Sequence, residues 1–71
     1  MKGTIVRIYE QKKFGFIRAL DSNEEYFFHK TGIAQDSDYQ FEQLQMGQVV
    51  EFVPTRTPKG SRAENVTTFL D

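Results

Sequence analysis

Apolar and polar residues alternate along most of this chain at the period of a β-strand, where successive side chains point to opposite faces. Residues 2–9 (KGTIVRIY) are rich in β-branched side chains and predict a first strand. Its alternation is imperfect. Ile5 and Arg7 share one face and Thr4, Val6 and Ile8 the other, unless a bulge before Tyr9 changes the register. After the polar turn Glu10-Gln11-Lys12, residues 13–20 predict a second strand, with Gly15 set between Phe14 and Phe16. A strand glycine weakens the strand but lets a backbone or a ring approach closely. A turn at 21–24 leads to a third strand at 25–30, and the pair should form an antiparallel hairpin. Residues 31–46 are the longest irregular stretch, with a helical turn and an inward Ile33 expected at 31–33. A loop this long in a small domain is functional or disordered. Tyr39 and Phe41 suggest function; the alternative is that Phe41 and Leu44 anchor the loop on the core. Residues 47–54 predict a fourth strand, with Val50 and Phe52 on one face, ended by Pro54. Residues 55–61 read as a loop with cationic reach, and 62–70 as a fifth strand carrying Ala63 and Val66.

Short strands with turn signals and no convincing helix predict an all-β fold, a five-stranded antiparallel Greek-key barrel of the OB type, as one domain over residues 1–71. Closure would remove most sheet edges. The second and third strands are unusual in having two apolar faces. Phe14 and Phe16 share one face of the second strand, opposite Gly15 and Ile17. Phe27 and His29 share one face of the third, opposite Tyr26 and Phe28. Two phenylalanines at i and i+2 in a strand ordinarily mark a core. A chain of 71 residues, however, is too short to close a core over both faces. One aromatic face should be left at the surface, where such a patch marks an interaction site. If it carries Phe14, Phe16, Phe27 and His29, it is a platform on which unpaired bases stack with little regard to sequence, at roughly 1–3 kcal/mol per base.

Composition narrows the classes. Charged residues at 27% and hydrophobic ones at 38% suit a soluble globular domain. The absence of cysteine excludes a disulfide framework and a cysteine zinc site, so stability should be marginal. The apolar runs are too short for a membrane span, and the N-terminus has no signal-peptide pattern, so a cytoplasmic location is expected. The net charge of −1 argues against strong nucleic-acid binding unless the charges are segregated. They are partly so in sequence. Arg7, Lys12, Lys13, Arg18 and Lys30 lie on or beside the aromatic strands, Lys59 and Arg62 in the late loop, and Asp36, Asp38 and Glu42 in the middle loop. Catalysis is not expected. There is one histidine, no cysteine, no phosphate-cradling glycine motif and no metal-ligand spacing, and no cofactor or small-molecule substrate is implied.

Lys12-Lys13-Phe14-Gly15-Phe16-Ile17 resembles the first ribonucleoprotein motif of cold-shock domains, K-G-F-G-F-I, and Tyr26-Phe27-Phe28-His29 resembles the second, V-F-V-H. Gly47 to Phe52 looks like the family's G-Q-x-V-x-F, and Gly60, Ala63, Asn65 and Val66 resemble its closing G-P-x-A-x-N-V. The resemblance implies an OB barrel that binds single-stranded RNA or DNA, as an RNA chaperone or a transcriptional or post-transcriptional regulator. It implies base stacking by Phe14, Phe16, Phe27 and His29, a backbone contact by Lys12, and a loop aromatic at Phe41. A monomer is expected, with a homodimer the alternative.

The chain departs from the family pattern in several places. The strand-one tryptophan corresponds to Arg7, whose guanidinium plane can stack on bases. Tyr9 is a second candidate if the strand is bulged. The aromatic after V-F-V-H corresponds to Lys30, the glycine of K-G-F to Lys13, and the middle loop is longer around residues 35–38. Losing two stacks would weaken binding by roughly 2–6 kcal/mol, with Arg7, Lys13 and Lys30 restoring some attraction. A competing expectation is an OB barrel that binds protein, or itself, through the same face.

Overall fold

The structure is a computed structural model, and it describes residues 1–33 and 44–68. Five strands are present: β1 (Lys2–Tyr9), β2 (Phe14–Ala19), β3 (Glu25–His29), β4 (Val49–Thr57) and β5 (Gly60–Thr68). A 3-10 turn at Lys30–Gly32 follows β3. No helix among the described residues is long and apolar enough to cross a membrane. The strands close into a barrel in the order β1-β2-β3-β5-β4. Neighbouring pairs are antiparallel except β3 and β5, which run parallel. The expected five-stranded antiparallel barrel is present, closed at one parallel seam. An odd number of strands in a closed ring cannot alternate direction all the way round, so one neighbouring pair must be parallel.

The core is built from the inward positions of each strand: Ile5, Ile17, Ala19, Tyr26, Phe28, Val50, Phe52, Ala63 and Val66, with Leu44 closing it from the segment before β4. Ile8 and Ile33 pack against its edge. Simple alternation puts Ile5 and Ile8 on opposite faces, and Ala63 and Val66 likewise. Two irregularities bring each pair to the same side. The β1–β2 register shifts between Ile5 and Arg7, so Val6 is the extra residue of a bulge. The β4–β5 register shifts between Glu51 and Val53, opposite the stretch where Asn65 adopts φ 51°. The bulge expected before Tyr9 is thus present.

Several strand boundaries differ from the sequence reading. The second and third strands are each slightly shorter than predicted, because Lys13 is in a turn and Lys30 starts the 3-10 turn. Pro54 does not end β4, which runs on to Thr57. The β1–β4 ladder ends at the Lys2–Glu51 pair, with Met1 bonded to Phe52 just beyond it, so at Pro54 one edge of β4 is open, and a residue without an N–H is tolerated there. Residues 55–61 are consequently not a loop. They are the tip of a β4–β5 hairpin turning at Pro58-Lys59, where Thr57 pairs with Gly60. The Thr57 hydroxyl donates to the Gly60 carbonyl at 2.8 Å and accepts the Lys59 N–H at 3.2 Å.

Candidate nucleic-acid interface

The register of β1, β2 and β3 decides which aromatic face is buried. Gly15, Ile17, Tyr26 and Phe28 point inward, while Phe14, Phe16, Phe27 and His29 are only partly covered. Gly15 is what allows this. A Cβ there would press on the Arg7 carbonyl oxygen and come within 2.8 Å of the Phe28 ring, so a fully buried phenylalanine packs directly under the glycine. The outward face of β2 and β3 is the aromatic platform, and the core reading of Phe14 and Phe16 is excluded.

Cross-strand pairing arranges the face in rows. One row runs Tyr9, Phe14, His29. The next runs Arg7, Phe16, Phe27, Arg62, crossing four strands of the barrel. The β1 bulge turns both Arg7 and Tyr9 onto this face. The Tyr9 ring stacks on Phe14 with centroids 4.7 Å apart and planes at 21°. Phe27 lies 5.4 Å from Phe14 and 5.9 Å from Phe16. Phe14 and Phe16 meet edge to face at 6.1 Å. Each ring thus braces its neighbours, which lowers the entropy a ligand would have to remove. Arg7 donates from Nη1 to the Tyr9 hydroxyl at 3.5 Å, and that contact holds the guanidinium pKa up, so Arg7 stays cationic. His29 accepts the Thr31 N–H at Nδ1 at 3.3 Å, which leaves the proton of a neutral ring on Nε2.

The rim is cationic. Lys12 and Lys13 occupy the β1–β2 turn, where both backbone N–H groups donate to the Tyr9 carbonyl. Lys30 joins the same edge, its N–H donating to the Lys13 carbonyl at 2.9 Å. Lys59 and Arg62 lie at the other side, around a cavity of about 360 Å³ walled by Phe16 and Phe27 and floored by Thr57, Gly60 and Ser61. Pairing brings Arg7, Tyr9, Phe14, Phe16, Phe27, His29 and Arg62 to one face, Lys59 lines the cavity beside it, and Lys12, Lys13 and Lys30 lie in the turns at its edge. Phe41, with Tyr39, lies outside the described residues.

Sequence reasoning missed two features. Arg18 shares the outward parity of Phe14 and Phe16, and its Nη2 lies 3.3 Å from Glu25 Oε2, extending the face by an exposed ion pair. Parity alone could have assigned it. Thr57 and Ser61 were hidden because the hairpin tip read as a loop.

Lys13 carries a backbone cost. Its φ is 60°, a conformation that glycine adopts freely and that costs an L-residue about 1–2 kcal/mol. Glycine also gains more freedom in the unfolded chain, so the two effects partly cancel. Lys13→Gly is expected to raise stability by about 0.5–1 kcal/mol, read as a higher urea midpoint with unchanged slope.

A small closed five-stranded β-barrel with an exposed aromatic face and a cationic rim defines the architecture of OB-type single-strand binders. Comparison with known proteins narrows the class. The sequence model of the 'Cold-shock' DNA-binding domain matches residues 1–69, and the chain belongs to that family. It is 44% identical over 64 residues to the cold shock-like protein CspA of Stigmatella aurantiaca, covering 90% of each chain. It is 40% identical over 65 residues to a cold shock-like protein of Aquifex aeolicus, covering 92% of this chain and 89% of the other. Among solved structures, Drosophila Unr CSD456 superposes with a TM-score of 0.74 at 25% identity. That match covers 97% of this chain, which spans 26% of the Unr chain.

Proposed function

We propose that this protein binds single-stranded RNA or DNA, stacking bases on Phe14, Phe16, Phe27 and His29 and drawing the phosphates to a cationic rim. The observation that carries the reading is the pair of cross-strand rows, which hold the rings at the surface of a barrel whose core is complete without them. Tyr9 extends the stacking surface of Phe14 toward the β1 edge, and Arg7 takes the position of the family's tryptophan. Lys12, Lys13, Lys30 and Lys59 serve the backbone, Arg62 completes the row beyond Phe27, and Phe41 is a loop aromatic. Residues 1–71 act as a single domain and a monomer, without catalysis or a small-molecule substrate, in the cytoplasm as an RNA chaperone or regulator. Membership of a family described as DNA-binding supports the reading.

The partition of charge reconciles it with a net charge of −1. Glu25 is engaged by Arg18. Glu24 accepts the Tyr26 hydroxyl at 3.2 Å beyond the far end of the face. Burial and that carboxylate push the Tyr26 phenol up, so it stays neutral at physiological pH.

Fluorescence anisotropy with labelled oligo-dT and oligo-U of about seven nucleotides, repeated across salt, tests the proposal. Each phosphate contact to a single strand contributes about −0.7 to the slope of log K against log salt. Engagement of roughly three to six of the cations should give a slope between about −2 and −4. Lys59→Gln should reduce its magnitude by about 0.7 and weaken all sequences alike. Absence of binding at low salt would contradict the proposal and turn attention to a protein partner for the same face, whose apolar contact would resist salt.

A further inference from the structure

The cavity between the platform and the β4–β5 hairpin has a chemistry that base stacking alone does not use. Two of its walls are aromatic, Phe16 and Phe27, and a third is Arg62, which stands directly across the β3–β5 seam from Phe27. The Arg62 Nε is shielded from solvent and has no hydrogen-bond partner among the described residues. An N–H left in that state is costly unless a ligand or a small rotation of the guanidinium satisfies it. Beside it the Thr57 hydroxyl is committed, donating to the Gly60 carbonyl and accepting the Lys59 N–H. The cavity thus sets a guanidinium beside two aromatic rings, its shielded Nε able to meet a ligand only if the group rotates. Arg62 also falls on the open position of the closing G-P-x-A-x-N-V pattern, so the family resemblance assigns it no role.

We propose that Arg62, with Phe16 and Phe27, forms a subsite that selects guanine from a single strand, the guanidinium donating to O6 and N7 while the base rests against the aromatic walls. The assignment rests on the stacking reading of the face and adds base selection to it. A guanidinium is donor-only and planar, and guanine presents two acceptors side by side on its Hoogsteen edge. Adenine offers N7 beside an amino donor, which opposes the fork. Thymine and uracil offer isolated carbonyls. Cytosine has adjacent acceptors, O2 and N3, on a single ring. Phe16 and Phe27 meet edge to face, with centroids 5.9 Å apart and planes at 73°, so the base rests on the face of one ring with the other ring beside it. Lys59 at the hairpin tip is placed to meet the phosphate of the same nucleotide.

The test uses seven-nucleotide oligo-dT in which the central base is replaced in turn by guanine, adenine, cytosine or 7-deazaguanine. Guanine is expected to bind about tenfold more tightly than adenine or cytosine, within the range of one bidentate arginine contact. 7-Deazaguanine, which lacks N7, should lose most of that preference with the protein unaltered. Arg62→Gln and Arg62→Lys should both abolish it, the lysine variant because it keeps the charge but not the fork, so that guanine, adenine and cytosine bind alike in each variant whatever affinity for plain oligo-dT is lost. Equal affinity for all the central bases would overturn the guanine subsite and leave the stacking platform standing. A preference for cytosine, or one retained in 7-deazaguanine, would also overturn it. Failure to bind any of the oligonucleotides would overturn both.

Discussion

Phe28→Ala is expected to cost about 3–5 kcal/mol of folding free energy, the range for removing a fully buried phenylalanine. Phe28 is completely buried and lies beneath Gly15, whose missing Cβ makes room for its ring. The alanine variant would leave a cavity at the centre of a core to which ten of the described residues contribute. A native chain of 71 residues has roughly 4–11 kcal/mol in hand at typical per-residue stability. The substitution therefore removes a large fraction of the total. Urea denaturation followed by far-ultraviolet circular dichroism should show a large drop in midpoint, or a chain unfolded before urea is added. A loss below about 1 kcal/mol would mean that Phe28 is not the centre of the core.

Phe27→Ala, one residue earlier, is expected to do the reverse. Phe27 points outward, half-covered by Phe14 and Phe16, so its removal should cost at most about 1–1.5 kcal/mol of stability, the scale of edge contacts between aromatic rings. Binding of a short single strand should weaken by about 1–3 kcal/mol, roughly 5- to 150-fold, because Phe27 belongs to the Phe16 row and walls the Arg62 cavity. Anisotropy titration of the folded variant gives the number. The informative result is the pair: adjacent phenylalanines, one carrying stability and the other affinity. Unfolding of Phe27→Ala, or binding unchanged in a folded protein, would break that division of labour.

The division was legible in the sequence because strand parity is simple where the ladder is regular. Between β2 and β3 the register runs without interruption, and Phe14, Phe16, Phe27 and His29 fall where alternation puts them. Chain length then excluded a core on both sides. Alternation fails at the bulges. Val6 reverses the parity of β1, which is why Arg7 and Tyr9 belong with the platform and not with Ile5. The possibility was readable from the broken pattern; its position was not, since a bulge is fixed by the partner strand. The hairpin tip was misread for a similar reason. Pro54 and Pro58 signal breaks when a strand is assumed to be paired on both sides, and only the topology reveals that β4 has an open edge beyond Phe52. Without the hairpin, Thr57 and Ser61 had no face, and the cavity they share with Arg62 could not be drawn. The positive φ of Lys13 was equally invisible, although the glycine expected there by resemblance was a hint of it.

The exposed rings, and not the buried ones, should feel the nucleic acid. The most direct measurement is a nuclear magnetic resonance titration of aromatic carbon–proton signals with unlabelled oligo-dT of about seven nucleotides. Stacked bases shift ring protons strongly. The account predicts large shifts for Tyr9, Phe14, Phe16 and Phe27 at saturation, with Tyr26, Phe28 and Phe52 nearly unmoved. Shifts confined to Tyr26, Phe28 and Phe52, or no shifts at low salt, would contradict it.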